Sequence, residues 1–356
     1  MPKESICAKV PKAHAEKAII LASKLKMVNK ELEIQRDSAF VYIPLIRQPT
    51  EKELEALKKR APECKVSTYP FPERKKQVKT FVELLENELP SHLLASLPRA
   101  MDLVGDIAII EIPLELDAHK RVIGEAVLKT HKNVRTVLAK AGAISGTYRL
   151  REFSVIAGEP KTKTVHKEHG CKYYVDLAKV YFSPRLSHEH NRVASFVKDG
   201  ETVVDLFAGV GPFSVLIAKT RENVKVYAID ANPYAIKFLK KNIRLNRVES
   251  QVYPILGDAK QVVKQRFSGI ADRLIMNLPK KAMEFVDAAC KVVKPTGGIV
   301  HFYSFVDASN TLEDVKLCFI DAVEKSGRKV EDILFSRFVR ATAPHEWQAV
   351  LDAKIH

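Results

Sequence analysis

With 356 residues and a formal net charge of +15, the chain is long enough for two or three domains and is biased toward a polyanionic partner, since lysine and arginine displace counterions from a phosphate backbone. Its 46% apolar and 28% charged residues are ordinary for a globular protein, and no apolar run reaches the roughly 18 residues that a membrane-crossing helix needs. Five widely spaced cysteines without a CxxC argue against a disulfide framework or zinc knuckle and predict a reduced, cytoplasmic setting, and Met1-Pro2-Lys3-Glu4 opens no secretory signal.

Residues 5 to 70 read as a small α+β unit. Ile6–Val10 has strand composition, and Lys12–Lys26 places Ala15, Ala18, Ile19, Ala22 and Leu25 at a helical period. Leu32–Ile34 and Ala39–Ile43 flank Arg36-Asp37-Ser38, a hairpin signal. Thr50 with Glu53 predicts a capping box for a helix that Pro62 stops, and Lys65–Tyr69 makes a last strand. Pro70, Pro72 and Glu73–Gln77 read as a linker. Beyond it come a helical pattern from Phe81, a strand over Asp106–Ile112, a helix over 120–131 and a strand over Val134–Leu138. Gly146–Phe153 alternates apolar and basic residues, so a strand there would put Arg149 and Arg151 on one face. Lys161–Lys167 continues basic and predicts a phosphate-contacting surface.

From Tyr173 the chain settles into alternation. An entry strand over Tyr173–Leu177 and a turn over Tyr181–Arg185 precede a helix over 188–197 that bears Glu189. Strands near 202–206, 224–229, 251–256, 272–276 and 298–303 are separated by helical patterns, and Thr311–Lys325 is the last long helix. Strands separated by helices predict a parallel doubly wound α/β sheet, with strands near 331–337 and 346–353 as an antiparallel edge. The expected division is 1–72, 73–178 and 179–356.

The organising stretch is Val203–Phe213: an apolar β-branched run ends in Asp205, then Gly209 and Gly211 make a turn, and Pro212 suits the first position of a helix. A second strand, Val224–Asp230, ends in an acid about 20 residues on, the spacing of a carboxylate that grips a ribose diol. Position 214 is Ser where a dinucleotide fingerprint wants a third Gly, and no Gly-Lys-Ser/Thr follows. Asp205 would repel a pyrophosphate but suits a cationic ligand with an ammonium and a sulfonium, which points to S-adenosylmethionine.

A second landmark is Leu274–Lys280, with Asn277-Leu278-Pro279 at the end of a strand, where ligands of such sheets bind. Enzymes that methylate planar nitrogens often carry Asn/Asp-Pro-Pro-aromatic here; Leu278 and Lys280 depart from that pattern, so the aromatic must come from elsewhere, Tyr181 or Phe182. Tyr181–Leu186, Asp205–Phe213, Asn277–Lys280 and His131-Lys132-Asn133 together resemble the archaeal and eukaryotic tRNA (guanine-N1)-methyltransferase family, and the likeness extends over nearly the whole chain.

The resemblance implies a Rossmann-like class I methyltransferase, with small α+β N-terminal domains, that uses S-adenosylmethionine to methylate N1 of guanosine 37 in tRNA. It implies Glu189 as general base, Arg149 meeting the charge that develops on O6, Asn277 holding the guanine edge or orienting Glu189, Pro279 fixing the loop and Tyr181 stacking on the flipped base. Burial is expected to raise the Glu189 pKa toward the working range. For the cofactor, Asp205, Phe207, Gly209 and Gly211 are expected near the methionine part, Asp230 at the ribose, Asp258 and Ala259 at the adenine, and Asn277 beside it. The partner implied is tRNA, gripped at the anticodon loop and outer corner by a monomer, with no metal and no membrane. Two other readings remain: a methyltransferase of the tricyclic wyosine-type base, and a non-catalytic tRNA-binding protein.

Overall fold

The computed structural model describes residues 2–73, 80–86, 88–98, 100–142, 146, 148 and 150–356, which form two compact units, Met1–Lys79 and Thr80–His356. Arg149 and the expected linker residues Arg74–Gln77 lie outside the described residues.

In the first unit, strands Lys3–Pro11, Gln35–Arg36, Phe40–Pro44 and Lys65–Phe71 form one sheet in which Lys3–Pro11 is central and pairs antiparallel with the last two. Helices Ala15–Lys24 and Glu51–Arg60 pack on it around Ala18, Ala22, Ile43 and Leu57. Thr50 Oγ1 accepts from the Glu53 amide while Glu53 Oε2 accepts from the Thr50 amide, the expected capping box.

Among the described residues the second unit holds three sheets. Strands Met101–Val104, Ile107–Ile110, Thr136–Lys140 and Phe153–Gly158 make a four-stranded sheet covered by helix Lys120–Thr130. Its Val104, Ile107, Ile109 and Leu138 side chains join the same core as the larger sheet that follows, so one apolar interior spans both. The strand expected over 146–153 begins instead at Phe153. Arg151 lies ahead of it and donates to the Gly142 carbonyl, 3.0 Å. Strands Lys163–Glu168 and Cys171–Asp176 form a separate antiparallel hairpin; the expected entry strand therefore stays outside the large sheet. Its outer edge is paired by side chains. Asn242 Oδ1 accepts from the Tyr174 amide (2.7 Å) and its Nδ2 donates to Tyr174 O and Val210 O, while Asn246, one helical turn on, takes the Lys172 amide and carbonyl.

The large sheet has seven strands: β1 (Thr202–Asp205), β2 (Lys225–Asp230), β3 (Val252–Leu256), β4 (Arg273–Met276), β5 (Gly298–Asp307), β6 (Val330–Ala343) and β7 (Glu346–Ile355), in the order β3-β2-β1-β4-β5-β7-β6. β1 to β5 run parallel, and β7 enters antiparallel between β5 and β6. Both faces are buried, since successive residues alternate between two cores: Val203, Val226 and Ile275 face one, Val204, Ile229 and Leu274 the other. Strand order reverses between β1 and β4, so the crevice beyond their carboxyl ends lies between Asp205 and Asn277.

The asparagine pairing gives a stability prediction. Asn242 is fully buried, and Asn242→Ala strands a hairpin amide and two carbonyls. It should cost about 2–4 kcal/mol in urea unfolding, from about 1–3 kcal/mol for each buried group left unmatched; an unchanged midpoint would mean that water replaces the amide.

Candidate active site

The turn after β1 is built from its own hydrogen bonds. Gly209 (φ +56°) donates its amide to Asp230 Oδ2 at 2.7 Å, Ala208 to Ile229 O and Gly211 to Ala208 O. The Phe207 amide reaches Asp205 Oδ1 at 3.4 Å. A phosphate needs free amides, and these four are already donated, whereas a cationic ligand needs acceptors. The two glycines differ in purpose. A Cβ on Gly211 (φ +89°) would lie 2.4 Å from Leu239 Cδ1, so packing demands glycine there; among the described residues a Cβ on Gly209 would meet only Tyr181 O at 4.0 Å, which leaves room above the turn.

Asp205 lies beneath the turn. It is wholly buried, accepts from Ser214 Oγ at 2.8 Å, and burial pushes its pKa up to about 7 despite Ser214 and the Phe207 amide, with Asp230 adding repulsion. Ser214, the residue that breaks the dinucleotide pattern, thus serves Asp205. Asp230 takes the Gly209 and Asn232 amides, one on each oxygen, and burial raises its pKa. Each of its oxygens keeps a second lone pair for a hydroxyl donor. Asp258 is exposed and caps helix Ala259–Arg266 through the Gln261 amide at 3.1 Å, with Ala259 buried behind it. Phe207 is half-buried, edge-on to Phe285 at 4.9 Å. An open glycine surface, satisfied amides and the acidic acceptors Asp230 and Asp258 after β2 and β3 fit S-adenosylmethionine.

Glu189, on helix Ser187–Phe196, is 1% exposed. Its carboxylate accepts from Arg192 Nε (3.0 and 3.2 Å), from Tyr303 Oη (2.9 Å) and from Arg337 Nη2. Burial works to raise its pKa, but Arg192, Arg337 and Tyr303 outweigh it, and the pKa is lowered, the reverse of the sequence expectation. The charges continue inward. Arg192 pairs with Asp352, Asp352 accepts from His301 Nδ1 at 2.6 Å, and His301 Nε2 accepts from Arg273 Nη1 at 2.9 Å. Arg273 ends on Glu201 at 2.8 Å. Burial and the two arginines outweigh Asp352 and lower the His301 pKa, so the ring is neutral.

Asn277 and Tyr181 are joined through the last two strands. Arg340 donates to Tyr181 Oη (2.9 Å), Ser183 Oγ (2.8 Å) and Gln348 Oε1 (2.9 Å), and Gln348 Nε2 donates to Asn277 Oδ1 at 3.1 Å. Pro279 forms the turn after Asn277, and Leu278 packs on the core. The i+3 spacing of Arg192 from Glu189 on a helix predicts their contact; nothing local in the sequence signals Arg337, Arg340, Gln348, Tyr303 or Asp352. Elsewhere a cleft of ≈ 790 Å³ is lined by Asn133, Lys161, Lys163, His166 and Lys167. Lys161 is tied to Asp106 and Glu159 (2.8 and 2.7 Å), which leaves Lys163 and Lys167 as the exposed lysines of that strand. Among the described residues no group of His, Cys, Asp and Glu could hold a metal, and no helix is long and apolar enough to cross a membrane.

Sheet order, the glycine turn and the acids that end β1 and β2 define a Rossmann-like S-adenosylmethionine methyltransferase. Family comparison agrees: the TRM5/TYW2 methyltransferase domain matches residues 164–331, the TYW2 N-terminal domain 81–162 and the tRNA methyltransferase 5 N-terminal domain 7–53. The chain belongs to the TRM5/TYW2 methyltransferase family. It is 44% identical to the tRNA (guanine(37)-N(1))-methyltransferase Trm5b of Pyrococcus abyssi over 75% of this chain and 78% of the relative. It is 34% identical to the Trm5b of Methanocaldococcus jannaschii over 99% of both, and 37% identical to the tRNA 4-demethylwyosine(37)-methyltransferase Taw21 of Saccharolobus solfataricus over 72% of this chain and 94% of the relative. Among solved structures, P. abyssi Trm5b superposes with a TM-score of 0.75 at 36% identity over 99% of both chains, and a complex of aTrm5 with tRNALeu with a TM-score of 0.76 at 33% identity over 99% of this chain and 100% of that one.

The buried acid under the turn predicts a pH dependence. The Asp205 pKa of about 7 lies above its ordinary value, so between about pH 4 and 7 the folded state keeps a proton that the unfolded state loses. Stability therefore falls as pH rises through that window, by up to about 4 kcal/mol. Asp205→Asn should remove that decline in urea unfolding followed from pH 4 to 8, and a variant that tracks the wild type would refute the assignment.

Proposed function

We propose that this protein transfers a methyl group from S-adenosylmethionine to N1 of the guanosine at position 37 of tRNA. The observation that carries this reading is the match to a Trm5b over 99% of both chains, including an N-terminal unit of the tRNA methyltransferase 5 type. The wyosine-related relatives Taw21 and the Pyrococcus horikoshii aminocarboxypropyltransferase align with only 72% and 77% of the chain. Their 37% and 34% identity makes the tricyclic base the second reading.

S-adenosylmethionine, when bound, supplies an electrophilic methyl on a sulfonium. Gly209, Phe207 and Asn277 would hold its methionine part with Asp205 and Gly211 shaping the turn, Asp230 its ribose, and Asp258 with Ala259 its adenine. Guanine N1 carries a proton at neutral pH, so its lone pair is released only when a base takes that proton. We assign that role to Glu189, which its arginines keep ionised and hence empty of a proton. Those same arginines weaken it as a base. Arg337 is 38% exposed and is the partner that an incoming purine would displace, after which burial raises the proton affinity of Glu189 as the N1 proton arrives. Negative charge then spreads to O6, the atom for which we propose Arg149 and Asn277 as donors. Tyr181, held at its hydroxyl by Arg340, offers a ring for the flipped base, and Pro279 shapes the loop beside it. The exposed Lys163 and Lys167 suit the tRNA backbone.

Mass analysis of nucleosides from guanosine-37 transcripts incubated with labelled cofactor should show 1-methylguanosine at position 37; label only on wyosine-type substrates would replace this reading with the second. In the same assay Glu189→Gln should lower kcat by about 10²–10⁴ with tRNA Kd unchanged. Arg337→Ala removes a group that lowers the Glu189 pKa in the free enzyme, so the acid limb of its kcat/KM pH profile should move to higher pH; an unmoved limb would separate Glu189 from proton removal. Lys163→Ala and Lys167→Ala should each weaken tRNA binding and reduce its salt slope by about one, and an unchanged slope would place the backbone elsewhere.

A further inference from the structure

The amide chain between Arg340 and Asn277 has only one possible polarity. A guanidinium has N–H donors and no acceptor. Arg340 Nε points at one end of the Gln348 amide, 2.9 Å away, so that end is the oxygen. The other end is then the NH₂ group, which must donate to Asn277 at 3.1 Å, so the Asn277 atom there is Oδ1. Turning either amide over would set two N–H groups face to face. Arg340 is itself anchored on Ser183 Oγ and Tyr181 Oη, and Gln348 is 1% exposed, so neither is free to swing. What remains of Asn277 is Nδ2, which among the described residues has no protein partner.

We propose that Gln348 is a positioning residue that makes Asn277 a hydrogen-bond donor toward the substrate. The inference rests on the reading given under Proposed function and adds its selectivity. An NH₂ group matches a carbonyl oxygen, and it matches best when that oxygen gains negative charge as the neighbouring ring nitrogen loses its proton. It opposes an amino group at the same ring position, because two donors would meet and a buried polar group would go unpaired. The site therefore selects 6-oxo over 6-amino purines, and Gln348 on the C-terminal hairpin enforces that choice through Asn277.

Gln348→Glu tests it. A carboxylate accepts from Arg340 as before but has no NH₂, so the Asn277 amide turns over and presents Oδ1 to the purine. With guanosine-37 transcripts the variant should lose about 10²–10³ in kcat, with tRNA Kd within about twofold by calorimetry. Asn277→Asp should lose a similar factor, and the double variant no more than Asn277→Asp alone, because both act through one atom. With 2,6-diaminopurine at position 37, the wild-type preference for guanine should shrink at least tenfold in Gln348→Glu. If Gln348→Glu does not fold, judged by its melting transition, Gln348→Met carries the same comparison, since it leaves the Asn277 amide free to turn. Wild-type kcat in the variant, additive losses in the double variant or an unmoved purine preference would each overturn the inference. A wild-type protein that makes no 1-methylguanosine would instead overturn the functional reading, before any variant is compared.

Discussion

An ionised carboxylate that is almost wholly out of water has to be matched by charge, and the structure around Glu189 follows from that need. Arg192 is the partner three residues on along the same helix, and its other side must itself be neutralised, which brings in Asp352 on β7. Asp352 accepts from His301 on β5, His301 accepts from Arg273 on β4, and Arg273 closes on Glu201 just before β1. The ladder crosses three strands of the sheet and ends beside a fourth. A base poised near neutrality by burial alone would need none of it. The protein instead keeps Glu189 deprotonated with one permanent arginine, Arg192, and one at the surface, Arg337.

Arg337 and Arg340 both serve the site although they are three residues apart on β6. In a regular strand that spacing sends side chains to opposite faces. Between Phe338 and Arg340 the pairing with β7 slips by one residue, so Arg337 opposes Val350 and Arg340 opposes Gln348, two residues away. The bulge turns both guanidinium groups toward the same face, one to Glu189 and the other to Tyr181 and Ser183. The antiparallel end of the sheet thereby ties together two loops that lie about a hundred residues apart in the chain.

The glycine turn shows how a fold chooses a ligand class before any ligand arrives. The same strand, turn and helix that hold phosphates in other proteins here have their amides donated inward and acids beside them. Ser214 and Asp205 make that choice together, since the serine hydroxyl meets the buried acid rather than the ligand.

Much of this was legible in the chain itself. The period of apolar residues, the acids that end β1 and β2, Pro212 after Gly211, the Thr50–Glu53 box and the Asn277-Leu278-Pro279 turn are local signals, because each depends on residues within a few positions of one another. Helix and strand existence followed from them, and so did the candidates Asp230 and Asn277, while Glu189 came from the family resemblance. What tertiary structure alone decided is what depends on distance in the chain: that β7 slots between β5 and β6, that a bulge rotates Arg337 and Arg340 to one face, and that Gln348 meets Asn277. It also decided the sign of the Glu189 shift. Composition and spacing predict burial, and burial alone would raise the pKa; Arg192, three residues on, opposes it most, and Arg337 and Tyr303, more than a hundred residues away, add to that reversal. Hydrophobic period reports which face of an element is inside, but only the folded neighbours determine which charges meet there.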